Sequence, residues 1–339
     1  MLRCLSMSLP SCSVIITTCD RPEQLRRSVA SVLAQTTPPS ELIIIDDCSR
    51  DAPRDGEFSK PGYGAGCAVR VCRLEQRSGA PAARNAGASL ARSEILMFLD
   101  DDDIWEHSKV ETQLNLFAQH REVGTIYTGM LAVNEIDGGG VMHASRGHLS
   151  GRAWPRILFR NFMGPTSAVA MRAELYHQVG GFDPELSALQ DYDLWIRLCM
   201  AAPVLYDGTH NLRFSAVSVS SERISQNVEC YAAAFKYLRG KYRTQLEDLP
   251  LRQRRRFDAQ AKLVEAGKYL QIRNYGSAAI RMAQAVALYP PSSVRLSRAA
   301  FLALWNLISA RHPASSGSPY WHHWRANLAL GRWWRRRRW

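Results

Sequence analysis

Four carboxylates stand in a row at Asp100-Asp101-Asp102-Asp103, directly behind the apolar run Ile95-Leu96-Met97-Phe98-Leu99. Two similar junctions precede it: Leu42-Ile43-Ile44-Ile45 runs into Asp46-Asp47, and Val14-Ile15-Ile16 runs into the polar stretch Thr17 to Arg21. Acids crowded at a strand tip repel one another, which raises the proton affinity of some of them. A divalent cation relieves that repulsion, and Mg²⁺ or Mn²⁺ prefers oxygen ligands. Taken alone, the run is equally well read as a solvated acidic turn, with Asp103 capping a helix from about Trp105. Arg84, opening Arg84-Asn85-Ala86-Gly87-Ala88, is placed to reach phosphate oxygens, although an isolated arginine is more often a surface or ion-paired one. Asp191, at the start of a helical segment, is either a helix cap or a general base.

These groups need a frame. The β-branched run 13–18, the runs 41–45 and 95–99 and the short alternating segment 69–74 read as strands. Between them, 23–35 and 80–91 read as helices, and the Gly/Pro/Asp-rich stretch 49–66 as a loop. Strands separated by helices make a mostly parallel sheet with helices on both faces, so the three strand ends share one edge. Ligands sit at such an edge, and a carboxylate there can accept hydrogen bonds from a base or ribose. Further on, 109–120 reads as a helix, 125–133 as a strand, Gly138-Gly139-Gly140 as a hairpin or flexible turn, 166–171 as a strand and 173–179 and 191–200 as helices. Residues 204–206 and 212–214 read as edge strands. Beyond about Ser221 the pattern is helical only: 228–243, 251–271, 275–288 and 295–310, with a hairpin over 256–288.

The 339 residues are enough for one large domain with an appendage, or two domains. Residues 1–220 hold 21 Lys or Arg against 25 Asp or Glu, a balance of −4, which leaves +16 for 221–339. Two regions with two tasks is the simplest account. The eight cysteines form no CxxC pair, which points to reduced thiols in a cytosolic protein and against a cysteine metal site. The longest uncharged apolar stretch, 299–310, is shorter than the roughly 18 residues of a membrane span, and no cleaved signal is read at the N-terminus.

Five pieces occur in a fixed order: Ser13 to Pro22, Ile43-Ile44-Ile45-Asp46-Asp47-Cys48-Ser49, Ala83 to Gly87, Phe98 to Trp105, and Gly180-Gly181-Phe182-Asp183 followed by Gln190 to Leu198. Together they resemble the family 2 glycosyltransferases of the GT-A fold over about residues 10–220. The resemblance implies an α/β fold with a GT-A type, mostly parallel sheet flanked by helices, followed here by a helical C-terminal region. It implies transfer of a sugar from a nucleotide-diphosphate donor to a hydroxyl of a saccharide or lipid-linked acceptor, inverting, with Mn²⁺ or Mg²⁺ as cofactor. By the same resemblance Thr17 and Asp47 contact the base, Asp100 the ribose, and Asp20, Arg21, Arg84 and Asp101 line the nucleotide-sugar site. Asp100 and Asp102 frame the DxD motif with Asp102 as metal ligand, and Asp191 is the general base. Cys19 and Asp20 stand where the family usually has Tyr and Asn, and Gln190 where it commonly has Glu.

The domains expected are 1–220 catalytic, 221–310 helical and 311–339 a basic tail. The tail, with Arg252 to Arg256, suits an anionic inner membrane surface, and Trp321, Trp324, Trp333, Trp334 and Trp339 suit its interface. A solvated basic end is the plainer alternative. Nucleic acid is set aside, because the acidic half offers no channel for it. The expected setting is cytoplasmic, peripheral at the membrane, in surface polysaccharide or glycolipid synthesis. A non-catalytic nucleotide-sugar or carbohydrate binder and a nucleotidyltransferase are the two rival readings.

Overall fold

The computed structural model describes residues 8–290, apart from 55, 59–65, 135–139, 148 and 218–227. A seven-stranded sheet carries the molecule. Its strands are β1 (Cys12–Thr18), β2 (Glu41–Asp46), β3 (Ala68–Arg73) and β4 (Ile95–Asp100), with β6 (Thr125–Tyr127), β9 (Val169–Arg172) and β10 (Val204–Tyr206) beside them. The order is β10-β6-β9-β4-β1-β2-β3, and all pairs are parallel except those that β9 makes with β4 and β6. Every residue of β2 is buried, as expected of a strand covered on both faces.

Helices α1 (Pro22–Leu33) and α2 (Ala80–Leu90) cover the sheet. Pro22 suits the first turn of α1, where its missing N–H costs nothing, and Leu25, Val29, Val32 and Leu33 form the buried stripe. Each such side chain contributes about 1.5–3 kcal/mol on burial. Gly87 lets α2 lie close on the sheet, since a Cβ there would come within 2.4 Å of Ile15.

A second sheet of four strands has the order β5-β11-β7-β8, formed by β5 (Ile104–Trp105), β7 (Met130–Asn134), β8 (Gly140–Ser145) and β11 (Leu212–Val217). The stretch expected as one strand over 125–133 is therefore two, β6 and β7, in different sheets. The break falls at Thr128-Gly129, where a Cβ on Gly129 would lie 2.6 Å from the Ser145 carbonyl oxygen. β10 is an edge strand as expected, but β11 is interior, pairing with β5 and β7. The segment after the acidic run begins as strand β5, and helix α3 (Lys109–Gln119) follows Ser108, so Asp103 does not cap a helix at Trp105.

Helices α4 (Ala173–Gln178) and α5 (Gln190–Ala201) complete the α/β part. Among the described residues four more follow: α6 (Val228–Lys241), α7 (Arg243–Glu247), α8 (Leu251–Gln271) and α9 (Tyr275–Leu288). Phe235, Leu238, Tyr242 and Phe257 join the same apolar core as the sheet residues. Helices α8 and α9 form the expected hairpin, around Ala266, Ala278 and Met282. The helix expected over 295–310 and the tail 311–339 lie outside the described residues. Among the described residues no helix is long and apolar enough to cross a membrane.

Candidate active site

Parallel register brings the three polar strand ends side by side: Thr17 pairs with Asp100 on β4 and Ile45 on β2, and Thr18 with Asp46. The acidic run is met mainly by arginines and hydroxyls. Arg84 Nη2 donates to Asp100 Oδ1 at 2.5 Å, and the Asp100 amide donates to Ser167 Oγ at 3.0 Å. Thr18 Oγ1 donates to Asp101 Oδ2 at 2.8 Å, and Arg21 Nη1 donates to its Oδ1 at 3.1 Å. Arg21 also approaches Asp102 at 3.6 Å. Burial lifts Asp101 to about 6 despite Arg21 and Thr18. Burial works against the Arg21 charge too, but Asp101 and Asp102 outweigh it and hold the guanidinium protonated.

Asp101 is turned inward at 8% side-chain exposure, whereas Asp102 is 22% exposed. The Arg21 guanidinium lies between the two carboxylates and offsets part of their charge. Mg²⁺-type sites commonly use one or two carboxylates with substrate phosphates as the other ligands, and Asp102 with its neighbours fits that kind of donor set. Among the described residues no three His, Cys, Asp or Glu side chains form a ready-made cage.

Asp47 lies at the end of β2 with both carboxylate oxygens engaged. Its Oδ1 accepts from the Ser78 amide at 2.7 Å and its Oδ2 from the Gly79 amide at 2.9 Å. Asp47 thus shapes the turn leading into α2, and each oxygen keeps a second lone pair for a ligand. Asp20 takes φ +55°, accepts from the Arg50 amide and is approached by Arg77. Its carboxyl is held below the usual range, first by the Arg50 amide hydrogen bond. Arg77 also donates to Cys19 Sγ at 2.7 Å. Sequence reasoning passes over Arg77, whose only local signal is its place after a strand. A cleft of about 520 Å³ opens on the α1 side, bordered by Thr18, Arg21, Arg26, Ser49 and Arg54. Of the expected site residues, only Arg21 lines it.

The second half of the site hangs on Asn85. Its Oδ1 accepts from Tyr176 Oη at 2.6 Å and the Phe182 amide at 2.9 Å, while its Nδ2 donates to the Phe182 carbonyl at 2.8 Å. Gly181 takes φ +67° there, and a Cβ would lie 2.8 Å from Asn85 Oδ1. Phe182 is thereby set under Arg84, whose guanidinium is 5.2 Å from the ring centre. Asp183 and Asp193 are drawn together by Lys241 of α6, at 2.5 and 3.1 Å. Asp193 also binds Arg197 at 2.6 Å and Tyr242 Oη at 2.7 Å.

Leu189 adopts φ +61°, a left-handed conformation costing a bulky residue about 1–2 kcal/mol, and this turn starts α5. Asp191 consequently falls in the first helical turn rather than at the cap. Its Oδ1 accepts from the Tyr192 amide at 2.8 Å. Burial raises Asp191 to about 6; the amide and Arg84 oppose the rise and the Asp100 charge adds to it. Asp100, Arg84 and Asp191 therefore form one electrostatic group, contributed by β4, α2 and α5.

Residues 13–176 match the model of the family described as Glycosyl transferase family 2. An uncharacterized glycosyltransferase of Haemophilus influenzae is 27% identical over 257 residues, covering 75% of this chain and 83% of that protein. The putative teichuronic acid biosynthesis glycosyltransferase TuaG of Bacillus subtilis is 37% identical over 122 residues, 35% of this chain and 46% of that protein. Three longer Rickettsia relatives are spanned over only 34–38% of their length. The fold is shared with S. aureus TarS 1-349 in complex with UDP-GlcNAc, at TM-score 0.55 and 18% identity, over 87% of this chain and 89% of that one. With these motifs in this order on a GT-A sheet, residues 13–176 are a glycosyl transferase family 2 domain.

Proposed function

We propose that this glycosyltransferase moves a sugar, with inversion, from a nucleoside-diphosphate donor onto a hydroxyl acceptor in surface polysaccharide or glycolipid synthesis. The observation that carries the reading is Asp191, raised in proton affinity and grouped with the ion-paired Asp100 and Arg84. An acceptor alcohol is a weak nucleophile, and a carboxylate whose proton affinity is raised toward neutrality takes its proton more readily as it attacks. Direct attack with one base and no enzyme nucleophile inverts the anomeric carbon. Thr17, Asp20 and Asp47 line the base end of the donor pocket, Asp100 the ribose, and Arg21, Arg84 and Asp101 the phosphate side. Asp102 would hold Mn²⁺ or Mg²⁺, which when bound neutralises charge on the departing diphosphate. The setting proposed is cytoplasmic, with the basic C-terminal region against anionic lipid. The UDP-GlcNAc bound in the TarS structure and the name of TuaG support a nucleotide-sugar donor and an envelope polysaccharide.

A panel of nucleotide-sugars assayed with Mn²⁺ and with chelator tests this. Release of nucleoside diphosphate that requires the metal is expected, Asp191→Ala retaining donor binding but losing transfer, and Asp102→Ala weakening both. Pyrophosphate release would instead mark a nucleotidyltransferase, and nucleotide binding without turnover a binding protein.

A further inference from the structure

The last turn of α6 grips the α/β part at two carboxylates. Tyr237 and Lys241, four residues apart and so on one face of the helix, both meet Asp183. Tyr237 Oη donates to its Oδ2 at 3.0 Å, and Lys241 Nζ donates to the same oxygen at 2.5 Å. Burial opposes ionisation of Asp183, but Lys241, the Glu185 amide and Tyr237 outweigh it and hold the carboxyl below its usual range. Lys241 Nζ also lies 3.1 Å from the carboxylate of Asp193, and the next residue, Tyr242, donates its Oη to Asp193 Oδ1 at 2.7 Å. Asp193 is fully buried, and a buried charge is retained where it is paired and hydrogen-bonded. Part of that pairing is internal to α5, because Arg197, one turn on, donates to Asp193 Oδ2 at 2.6 Å. A bond inside a helix offsets charge without placing the helix, whereas Lys241 and Tyr242 come from another segment and do place it.

We propose that Lys241 is a positioning residue for the transfer reaction: it bridges the turn 180–183 to the first turn of α5 and so fixes Asp191 against Arg84 and Asp100. Both anchored carboxylates adjoin the groups that would do the chemistry. Asp193 lies two residues after Asp191 in the same helical turn, which closes with the Asp193 amide on the Leu189 carbonyl at 3.0 Å. Asp183 directly follows Phe182, whose ring centre is 5.2 Å from the guanidinium of Arg84, itself bound to Asp100. A shift of α5 against that turn moves Asp191 against Arg84 and Asp100, and a misplacement of about 1 Å can cost about a hundredfold in rate. Arg197, which donates to the Val179 carbonyl at 2.5 Å, is a second tie between α5 and the turn, so loss of Lys241 loosens the join without severing it. The helical region, which carries none of the five motif pieces, thereby gains a task in the reaction. The inference rests on Asp191 being the base, and the experiment separates the two ideas.

The test compares Lys241→Met, Lys241→Gln and Lys241→Arg in the full chain. The Lys241 side chain is 26% exposed, and Phe235, Leu238 and Tyr242 hold this end of the helical region in the core without it, so the neutral variants should fold. On whichever donor of the panel turns over, kcat should fall at least about tenfold in both neutral variants, with the donor KM within about twofold of the parent. Lys241→Arg, whose fork still reaches both carboxylates, should recover most of the loss. Hydrogen exchange read by mass spectrometry should be faster over 189–194 in the neutral variants and unchanged in β1, β2 and β4. A smaller fall in kcat, or a donor KM that rises in step with it, overturns the proposal. A lower melting temperature at unchanged kcat overturns it too, since Lys241 would then only hold the fold. Should neither neutral variant fold, Tyr242→Phe, which removes the neighbouring bond to Asp193, is judged by the same kcat and KM criteria. Full activity in Asp191→Asn would instead overturn the role of Asp191 as base and leave exchange over 189–194 to decide whether Lys241 holds α5.

Discussion

Asp191→Asn should stabilise the protein while abolishing transfer. The substitution keeps shape and an oxygen for the Tyr192 amide, and removes a charge that burial disfavours. In the folded chain Asp191 titrates near about 6, against an ordinary value of 3.8. An acid whose folded value is raised binds its proton more tightly in the native state, so its favourable contribution is complete below 3.8 and is lost as pH rises through about 6. Each pH unit between those two values is worth about 1.36 kcal/mol, so at about pH 8 the ionised carboxylate costs at most about 3 kcal/mol. At about pH 5 the cost is roughly half of that. Partial solvent contact reduces both figures. The diagnostic is their difference: urea unfolding of parent and variant should show the advantage of the asparagine variant growing by about 1 kcal/mol between about pH 5 and pH 8. A gain that does not change with pH, or a variant less stable than the parent at the alkaline end, would refute the claim that Asp191 is held charged against its surroundings.

Arg84→Met removes the partner of Asp100 and one of the charges that ease Asp191. It should lower stability by about 2–3 kcal/mol, below the range for breaking a fully buried pair because the Asp100 side chain is 29% exposed. Calorimetry of nucleoside-diphosphate binding should show weaker affinity. Gly87→Ala forces a methyl against Ile15 and Ile45 at the junction of α2 with the sheet, and should cost about 1–3 kcal/mol in a denaturant titration.

What is legible in the sequence is whatever local chemistry enforces. The runs 13–18, 41–46 and 95–100 are largely apolar because both faces of those strands are covered. The helices over 251–271 and 275–288 carry their own propensity and, at Asn274, a side-chain cap on the Ser277 amide at 3.1 Å. The division of 125–133 into two strands escapes sequence reasoning because the break at Gly129 answers to the Ser145 carbonyl, which is distant along the chain and invisible to periodicity. The place of β11 inside the second sheet likewise depends on partners at 104–105 and 130–134, not on its own composition.

The sequence by itself determined which acids exist and that three of their clusters follow buried strands, because a continuous apolar run ending in charge has few other places to go. Only the tertiary structure decided how those acids are employed: Asp101 locked by Thr18 and Arg21, Asp47 bound to two amides, Asp100 paired with Arg84. It also decided that Lys241 and Tyr242, from the helical region without catalytic motifs, bind Asp193 of α5. The reason is physical. Proton affinity and charge pairing depend on burial and on through-space distance, and both are set by packing between segments that the order of residues alone does not bring together.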